Sequence, residues 1–375
     1  SMSNLYFHYP FCKQACHYCN FHFSTSLKNK DSLWEAMKKE LKQRSDELNS
    51  PIESIYFGGG SPSLLNSGAI ENTIGLIHSL VEVTSNVEVT LEVNPDDVSS
   101  EYLEALKTAG VNRLSLGVQS FLDRDLALMN RAHNSKDALK ALELVSTHFN
   151  NYSLDLIYGM PYSTLTEWEQ NLKTAMAFNP PHLSSYALTV EPKTALYHQV
   201  QKAEVLLIPE EAVQEQYQLM IQKLENLGYV NYEFSNFGKP SFFSVNNQNY
   251  WKGKPYLGIG PAAHSYDGKS IRKWNVSNNQ LYLKAIEGGK PALEQEELTV
   301  KDRYNEYLMT GLRTIEGISL EFVKSTFGLR YAMYLEEQAA RHLEGQHFYW
   351  DGDHLKISKS AKFLTDGLAA DLFMV

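Results

Sequence analysis

Six short apolar runs alternate with helical stretches over the first half of this 375-residue chain. Runs of this length, without polar alternation, are typical of parallel strands buried on both faces. They lie at residues 5–8, 54–57, 87–93, 113–118, 153–157 and 183–190. Six strand-helix units of this kind predict an α/β fold built as a partial (β/α)6 TIM-like barrel.

The stretches between these runs should begin at helix caps. Asp31, followed by Ser32, is expected to start the first long helix, and Ser99 is expected to cap a later one. Thr166 and Glu169 stand three residues apart and match a capping box. Beyond residue 190 the alternation becomes irregular, so a full eight-unit barrel is not expected.

The C-terminal part of the chain shows a different pattern. Helices are predicted at residues 300–313, 319–327, 331–344 and 360–373, with short strands at 348–350 and 355–357. Asp351, Gly352 and Asp353 form the turn between those strands. This order of helices and one hairpin predicts a smaller helical, winged-helix-like domain. We therefore divide the chain into residues 1–290, the barrel with an extension, and residues 291–375.

The composition restricts the partners of the chain. With 34 Lys and Arg against 44 Asp and Glu, its net charge is -10, whereas nucleic-acid binders usually carry a basic surplus. We therefore expect no nucleic-acid partner. No apolar run reaches the ~18 residues that cross a bilayer, and the first residues lack the pattern of a signal peptide. The sequence thus predicts no integral membrane segment and a cytoplasmic location.

All three cysteines of the chain, Cys12, Cys16 and Cys19, fall within eight residues. Since no other cysteine is available to pair with them, a disulfide scaffold is excluded. The C-x3-C-x2-C spacing favours a metal site over three thiols that merely pack together. Zinc would need a fourth ligand, which a nearby histidine could supply. A [4Fe-4S] cluster on three thiolates would instead keep one iron open.

The cysteine loop directly after a first strand resembles the loop of the radical S-adenosylmethionine superfamily. In that superfamily the open iron binds the amino and carboxylate groups of S-adenosylmethionine. Tyr18, between the second and third cysteines, matches the aromatic residue found there. The resemblance implies a [4Fe-4S] cluster on Cys12, Cys16 and Cys19, S-adenosylmethionine beside it, and an electron donor that reduces the cluster.

Glycine and polar residues stand at the ends of successive predicted strands. A Gly-Gly-Gly-Ser-Pro segment over residues 58–62 follows the second strand, and Glu92 ends the third. Gln119 follows the fourth strand, and Asp155 lies in the fifth. A carboxylate in a buried strand is costly unless it is paired or binds something. Because the C-terminal ends of parallel strands meet at one end of a barrel, we expect these residues to line one site.

The order of the motifs resembles the oxygen-independent coproporphyrinogen III oxidase family over nearly the whole chain. The matching segments are residues 6–10, the cysteine loop, 58–62, 116–121, 129–131, 155–161 and 256–260. By this resemblance, the residues that contact the cluster-bound S-adenosylmethionine are Tyr6, Gly59 and Glu92. The residues that match the surroundings of a second S-adenosylmethionine in the oxidase are Gly60, Ser61, Gln119, Arg131, Asp155 and Ala187.

Two departures from the oxidase point to the haem chaperone branch of that family. Phe21 stands where the oxidase has a further cysteine, and the long segment that precedes the cysteine loop in the oxidase is missing before Cys12. The branch implies haem and client haem proteins as partners. Enzymatic decarboxylation of coproporphyrinogen III is the alternative function, so the sequence leaves open whether the protein is an enzyme.

The branch usually carries a His-Asn-x-x-Tyr-Trp motif, which this chain alters. Residues 246–251 read Asn-Asn-Gln-Asn-Tyr-Trp, so that Asn246 replaces the motif histidine. Asparagine is a poor ligand for haem iron, whereas Tyr250 and Trp251 could still form an aromatic wall. His264 is therefore the candidate axial ligand of a possible haem.

Overall fold

A computed structural model describes residues 4–17 and 22–375 of the chain. The strands of the described chain are β1 (Asn4–Tyr9), β2 (Ile52–Gly59), β3 (Val83–Val93), β4 (Arg113–Gln119), β5 (Tyr152–Tyr158), β6 (His182–Ala187), β7 (Val230–Glu233), β8 (Asn236–Gly238), β9 (Tyr256–Ile259), β10 (His264–Tyr266), β11 (Ile271–Asn275), β12 (Leu293–Glu297), β13 (Ile318–Ser319), β14 (Phe348–Asp351) and β15 (His354–Ile357). Its α-helices are α1 (Lys30–Arg44), α2 (Ser67–Leu80), α3 (Ser100–Ala109), α4 (Asp123–Leu128), α5 (Ser135–His148), α6 (Leu165–Met176), α7 (Ala195–Gln201), α8 (Glu210–Asn226), α9 (Val245–Trp251), α10 (Asn279–Glu287), α11 (Val300–Gly311), α12 (Leu320–Phe327), α13 (Leu329–Glu344) and α14 (Thr365–Ala370).

A large sheet carries most of the described strands, in the order β12-β11-β10-β9-β1-β2-β3-β4-β5-β6-β8-β7. The strands from β9 through β1 to β6 pair in parallel. Each of the six predicted apolar runs forms one of β1 to β6, which confirms the α/β fold class and the partial barrel. The parallel strand β9, which pairs with β1, was not among the predicted strands.

The two faces of the parallel strands differ in polarity. Leu5 and Phe7 of β1 are fully buried in the hydrophobic core, as are Ile55 and Phe57 on β2. Side chains alternate along a strand, so the residues between them face the opposite side, which is the lumen of the barrel. Tyr6 of β1 contacts Tyr56 of β2 there, with ring centroids 5.9 Å apart.

Several of the predicted helix starts are wrong by one or two residues; in the C-terminal segment α12 begins at Leu320 instead of residue 319, and α13 at Leu329 instead of residue 331. The first helix begins at Lys30 after Asn29, before the expected Asp31. The capping box of α6 consists of Thr164 and Glu167, not Thr166 and Glu169, because the Thr164 side chain accepts a hydrogen bond from the Glu167 backbone N–H. The predicted cap at Ser99 is confirmed, since its side chain accepts from the Tyr102 N–H.

The C-terminal segment forms helices α11 to α14 around its own small core, with a sheet in the order β13-β15-β14. This arrangement agrees with the predicted winged-helix-like fold, although the closing helix is shorter than residues 360–373 and follows a 3₁₀ turn at Lys359–Leu364. The division after residue 290 stays a prediction. Because β12 pairs with β11 in the large sheet, we propose that the boundary follows Glu297. Among the helices described, none is long and apolar enough to cross a membrane.

Candidate functional site

The cysteine loop leaves β1 at the end of the barrel where the C-terminal ends of β1 to β6 meet, called here the cysteine end. Its backbone folds back on itself, because the Cys12 N–H donates to the Ser24 carbonyl at 2.9 Å. The His17 N–H donates to the Met129 carbonyl at 3.0 Å, which ties the loop to the segment after α4. Cys12 and Cys16 are half-buried here.

Part of the predicted cysteine loop lies outside the described residues. Tyr18, Cys19 and Phe21 belong to that part, so the three thiolates are not seen together. Within residues 4–17 and 22–375, no group of three or more His, Cys, Asp or Glu side chains could hold a metal ion. The assignment of the three cysteines as cluster ligands therefore stays a prediction. The glycine loop next to Cys12 shows whether the surrounding backbone fits such a cluster.

The glycine loop after β2 is pressed against the cysteine loop. The Gly60 N–H donates to the Tyr9 carbonyl at 2.7 Å, and the Ser61 N–H donates to the Phe11 carbonyl at 2.7 Å. A Cβ on Gly60 would stand only 2.7 Å from Cys12 Sγ. Gly59 has φ +114°, a conformation that L side chains rarely adopt. The backbone thus forms a close cradle beside Cys12 that only glycine permits, which fits a bound cluster and its ligand.

Two carboxyl groups face the lumen next to this cradle. Glu92, at the end of β3, accepts a hydrogen bond from the Gly59 N–H at 3.0 Å. Burial, together with the charge of Asp155, raises the pKa of Glu92 to about 8. Burial also raises the pKa of Asp155 to about 6, opposed by a hydrogen bond from Ser115 and by the charges of nearby arginines. A cationic ligand in the lumen would favour the ionised form of both groups.

Arg131 connects the cysteine loop to the strand ends. Its Nη1 lies 3.4 Å from Cys16 Sγ, and its Nη2 donates to Asn94 Oδ1 at 3.1 Å. Asn94 in turn donates through Nδ2 to Ser61 Oγ at 2.7 Å. A continuous chain of polar contacts therefore runs from Cys16 to the glycine loop.

Tyr6 and His8 line the lumen on β1. The Tyr6 hydroxyl and His8 Nδ1 are 3.1 Å apart, and His8 Nε2 is 3.1 Å from the His22 carbonyl. Burial, together with the charge of Glu92, raises the pKa of Tyr6 far above its usual value, so the phenol stays protonated. Burial lowers the pKa of His8, which favours the neutral imidazole. These groups can donate and accept hydrogen bonds without carrying charge.

The structure brings most of the predicted residues to the cysteine end. The residues that lie on the strand ends or loops around it are Tyr6, Cys12, Cys16, Gly59, Gly60, Ser61, Glu92, Gln119 and Arg131. Asp155 lies one strand further, where it accepts from Ser115 Oγ at 3.3 Å, and Ala187 ends β6 opposite Tyr158. The sequence reasoning missed Asn94 as the link between Ser61 and Arg131, although its place directly after the third strand was a usable signal.

The altered Asn-Asn-Gln-Asn-Tyr-Trp motif lies at the opposite end of the barrel. It forms α9, whose first backbone N–H groups, from Val245 and Asn246, donate to the carboxylate of Glu88 at 2.8 and 3.1 Å. Asn249 donates through Nδ2 to Asn4 Oδ1 at 2.7 Å, and Asn4 is the first residue of β1. Any ligand of this helix therefore lies at the N-terminal ends of the strands.

A row of aromatic rings leads from that helix to β10, the strand that carries His264; these rings, with His264 and Trp274, are called here the aromatic face. The ring centroids of Tyr250 and Tyr256 are 6.0 Å apart, and those of Tyr256 and Tyr266 are 6.2 Å apart. On the same face of β10 and β11, His264 stacks on Trp274 at 6.0 Å. Tyr250 is 52% exposed, and the imidazole of His264 is also open to solvent. The face is thus an apolar surface with one accessible nitrogen ligand.

The imidazole of His264 is suited to bind a metal as a neutral ligand. Burial, together with the charge of Arg272, lowers its pKa below the ordinary value of histidine. Arg272 itself is held by Glu306 through two hydrogen bonds of 2.7 and 3.0 Å. A neutral imidazole keeps a lone pair for iron at pH 7.

Comparison with known proteins agrees with this geometry. The Radical SAM superfamily matches residues 6–175, and the HemN C-terminal domain matches residues 298–364. The chain is similar in fold to coproporphyrinogen III oxidase (HemN) from Escherichia coli, with a TM-score of 0.85 at 21% identity, over 100% of this chain and 90% of that one.

The sequence is more similar to proteins of the predicted branch. It is 36% identical to the heme chaperone HemW of Bacillus subtilis (strain 168), over 89% of this chain and 88% of that protein. It is 31% identical to the heme chaperone HemW of Escherichia coli (strain K12), over 86% of each protein. The family and branch predicted from the motifs are confirmed: this chain belongs to the HemW family of radical S-adenosylmethionine proteins.

Proposed function

We propose that the protein binds haem on the aromatic face and delivers it to client haem proteins. The observation that carries this proposal is the exposed His264, a neutral imidazole that stacks on Trp274 on the strand that also carries Tyr266. Relatives that are 29–36% identical to this chain are named heme chaperones. The oxidase is the less favoured function, because its likeness to this chain, at 21% identity, concerns the fold.

The geometry of the aromatic face suits a ligand that must be released again. An open surface with one axial ligand holds haem less tightly than a closed pocket with two. Trp274 supplies flat apolar area against His264, and Tyr256 and Tyr250 extend the aromatic area from Tyr266 toward α9. Asn246, on α9, offers no strong iron ligand, so His264 is the iron ligand in this proposal.

A basic residue next to this face is available for the haem propionates. Arg303 of α11 packs its guanidinium 5.7 Å from the ring centroid of Phe327. In the described part of the chain no carboxylate lies within 4.0 Å of it, in contrast to Arg272, which Glu306 neutralises. Its positive charge opposes the rise that burial causes in the pKa of Tyr266, a residue of the aromatic face. We assign Arg303 to a propionate, because arginine and carboxylate pair through two hydrogen bonds.

Membership in the superfamily implies a [4Fe-4S] cluster and S-adenosylmethionine at the cysteine end. When bound there, the reduced cluster supplies an electron to S-adenosylmethionine, and an electron donor must reduce it again. We propose Cys12, Cys16 and Cys19 as the ligands of the cluster. We propose that Tyr18, between the second and third cysteines, lies beside the cluster. A cytoplasmic location would keep these thiols reduced.

The residues of this chain act at that end by holding and orienting S-adenosylmethionine. The Gly59 and Gly60 backbone allows a charged ligand to approach closely, and Glu92 offers a carboxyl group that can take a hydrogen bond from it. Tyr6 stays protonated and orients through its hydroxyl. The residues proposed to surround a second S-adenosylmethionine are Gly60, Ser61, Gln119, Arg131, Asp155 and Ala187.

A haem titration of two histidine variants tests the proposal. His264→Ala should abolish the shifted Soret band of the complex and weaken binding. The matched control is His78→Ala, because His78 is an exposed histidine on α2, outside the aromatic face. A His264→Ala protein that binds haem as the wild type does, with the same spectrum, would overturn the assignment of the ligand.

A further inference from the structure

A cavity of about 160 Å³ lies at the junction of the barrel and the C-terminal domain. Its walls come from the turn between β7 and β8, the end of α11, the hairpin of β14 and β15, and the 3₁₀ turn at Lys359–Leu364. Ligand pockets for drug-sized molecules are larger, at ~300 Å³ or more. The volume of this junction cavity therefore suits a small ion or one chemical group of a larger molecule.

All the charged side chains in the described lining of the junction cavity are basic. Arg313, Lys356, Lys359 and Lys362 all face it, and no acidic residue is among the described residues of its lining. The whole chain has a net charge of -10, so a lining whose described charged residues are all basic is unlike the chain as a whole. A concave site of one sign of charge concentrates ions of the opposite sign.

The ion pairs of these residues leave hydrogen-bond donors unused. Arg313 is paired with Glu233 at 2.9 Å and with Asp366 at 2.9 Å, which fixes it as a wall of the cavity. Lys356 pairs with Asp351 at 2.7 Å, and Lys359 pairs with Glu225. Each lysine ammonium carries three N–H donors, so one carboxylate does not saturate it.

Lys362 differs from the other three basic residues. Its Nζ donates to the amide oxygen Asn231 Oδ1 at 2.8 Å, and no carboxylate of the described chain lies within 4.0 Å of it. Burial lowers the pKa of Lys362 although the charge of Glu225 opposes the shift, because no counter-ion of the described chain is in direct contact with its ammonium group. An anion in the cavity would supply that counter-ion.

We propose that the junction cavity binds a phosphoryl group, held by Lys362 and Lys359 with Lys356 beside them. A phosphoryl group carries about -1.5 to -2 charges at pH 7 and three acceptor oxygens, which matches three incompletely used ammonium groups. A carboxylate has one charge and two oxygens and matches them less well. This site lies apart from both the cysteine end and His264.

The site also adjoins the motif helix through Arg313. The guanidinium of Arg313 lies 5.1 Å from the ring centroid of Trp251 on α9 and 4.8 Å from that of Phe234. A phosphoryl group bound in the junction cavity would thus be separated by the Arg313 side chain from the helix that carries Tyr250.

Thermal unfolding of the full-length protein in sodium phosphate tests the proposal. At constant ionic strength, the unfolding temperature should rise with the logarithm of the phosphate concentration above the dissociation constant, while sodium chloride and sodium acetate should give no such rise. Lys362→Gln and Lys359→Gln should each weaken phosphate binding about tenfold or more, because a hydrogen bond to a charged group is lost. The Lys359 side chain is 66% exposed, so its replacement leaves the fold intact.

The matched control is Lys301→Gln, which removes the same charge from an exposed position on α11. This variant should bind phosphate as the wild type does. The proposal is overturned if phosphate acts no differently from chloride, or if both cavity variants bind phosphate as tightly as the control. An acetate effect with the same size and concentration dependence as that of phosphate would overturn the phosphoryl assignment.

Discussion

Replacing Gly60 with alanine should remove the cluster while the barrel stays folded. A Cβ at this position would stand 2.7 Å from Cys12 Sγ and 2.6 Å from the Phe11 carbonyl oxygen. Non-bonded atoms make favourable contacts at about 3.5–4.0 Å, so one of the two loops must move by roughly 1 Å. Metal coordination tolerates deviations of only about 0.2 Å in ligand distance. The displaced Cys12 should therefore fail as a ligand.

The cost to overall stability should be small in comparison. Overpacking by one methyl group costs about 1–3 kcal/mol, out of a typical stability of about 5–15 kcal/mol. We expect Gly60→Ala to keep the far-ultraviolet circular dichroism of the wild type. After anaerobic reconstitution with iron and sulfide, its iron content should fall severalfold, together with the cluster absorption.

The control for this experiment is Gly75→Ala in α2. A Cβ on Gly75 meets no atom within 4 Å, so the substitution should stabilise the helix by about 1 kcal/mol and leave the iron content unchanged. If Gly60→Ala holds as much iron as Gly75→Ala does, the contact between the glycine loop and Cys12 does not shape the cluster site, and the reasoning is refuted.

Further substitutions test the carboxyl groups and the altered motif. The folded pKa of Glu92, about 8, is above its unfolded value near 4.5, so its ionisation should lower stability progressively as the pH rises from about 4.5 to 8. Glu92→Gln should therefore raise the unfolding temperature more at pH 8 than at pH 5 in the absence of ligand, and an equal change at both would contradict the raised pKa. Glu40 is fully buried and pairs with Arg44 at 2.8 Å. Glu40→Ala should therefore lower the free energy of unfolding by about 3–5 kcal/mol in a denaturant titration. A loss below about 1 kcal/mol would show that this ion pair does not stabilise the fold. Asn246→His should strengthen haem binding and sharpen the Soret band. If Asn246→His changes nothing while His264→Ala removes the band, His264 alone ligates the iron, and if neither change matters, the haem site lies elsewhere.

The strands of the barrel could be predicted because burial on both faces leaves a continuous apolar run. The strand β9 reads Tyr-Leu-Gly-Ile, so Gly258 interrupts its apolar run, and its pairing with β1 joins residues some 250 positions apart in the sequence. The predicted start of α6 was wrong for a local reason. Thr164–Glu167 and Thr166–Glu169 both match a capping box, and only the backbone geometry selects the first pair.

The candidate site could be predicted in part, for similar reasons. Residues at the ends of consecutive strands, such as Glu92 and Gln119, meet because parallel strands end together. The link from Ser61 through Asn94 to Arg131 depends on the paths of loops, which residue spacing does not specify. The row of rings from Tyr250 to Tyr266 and the contact of His264 with Trp274 depend on the register of β10 against β9 and β11, and the sequence carries no sign of that register.

The central claim is that this protein carries haem and does not oxidise coproporphyrinogen III. The most direct measurement uses one anaerobically reconstituted sample, which is titrated with haem and then assayed with coproporphyrinogen III, S-adenosylmethionine and a reductant. We predict a saturating change in the Soret band at about one haem per chain, as one axial histidine implies, and no repeated turnover of coproporphyrinogen III. Repeated decarboxylation without saturable haem binding would contradict the account.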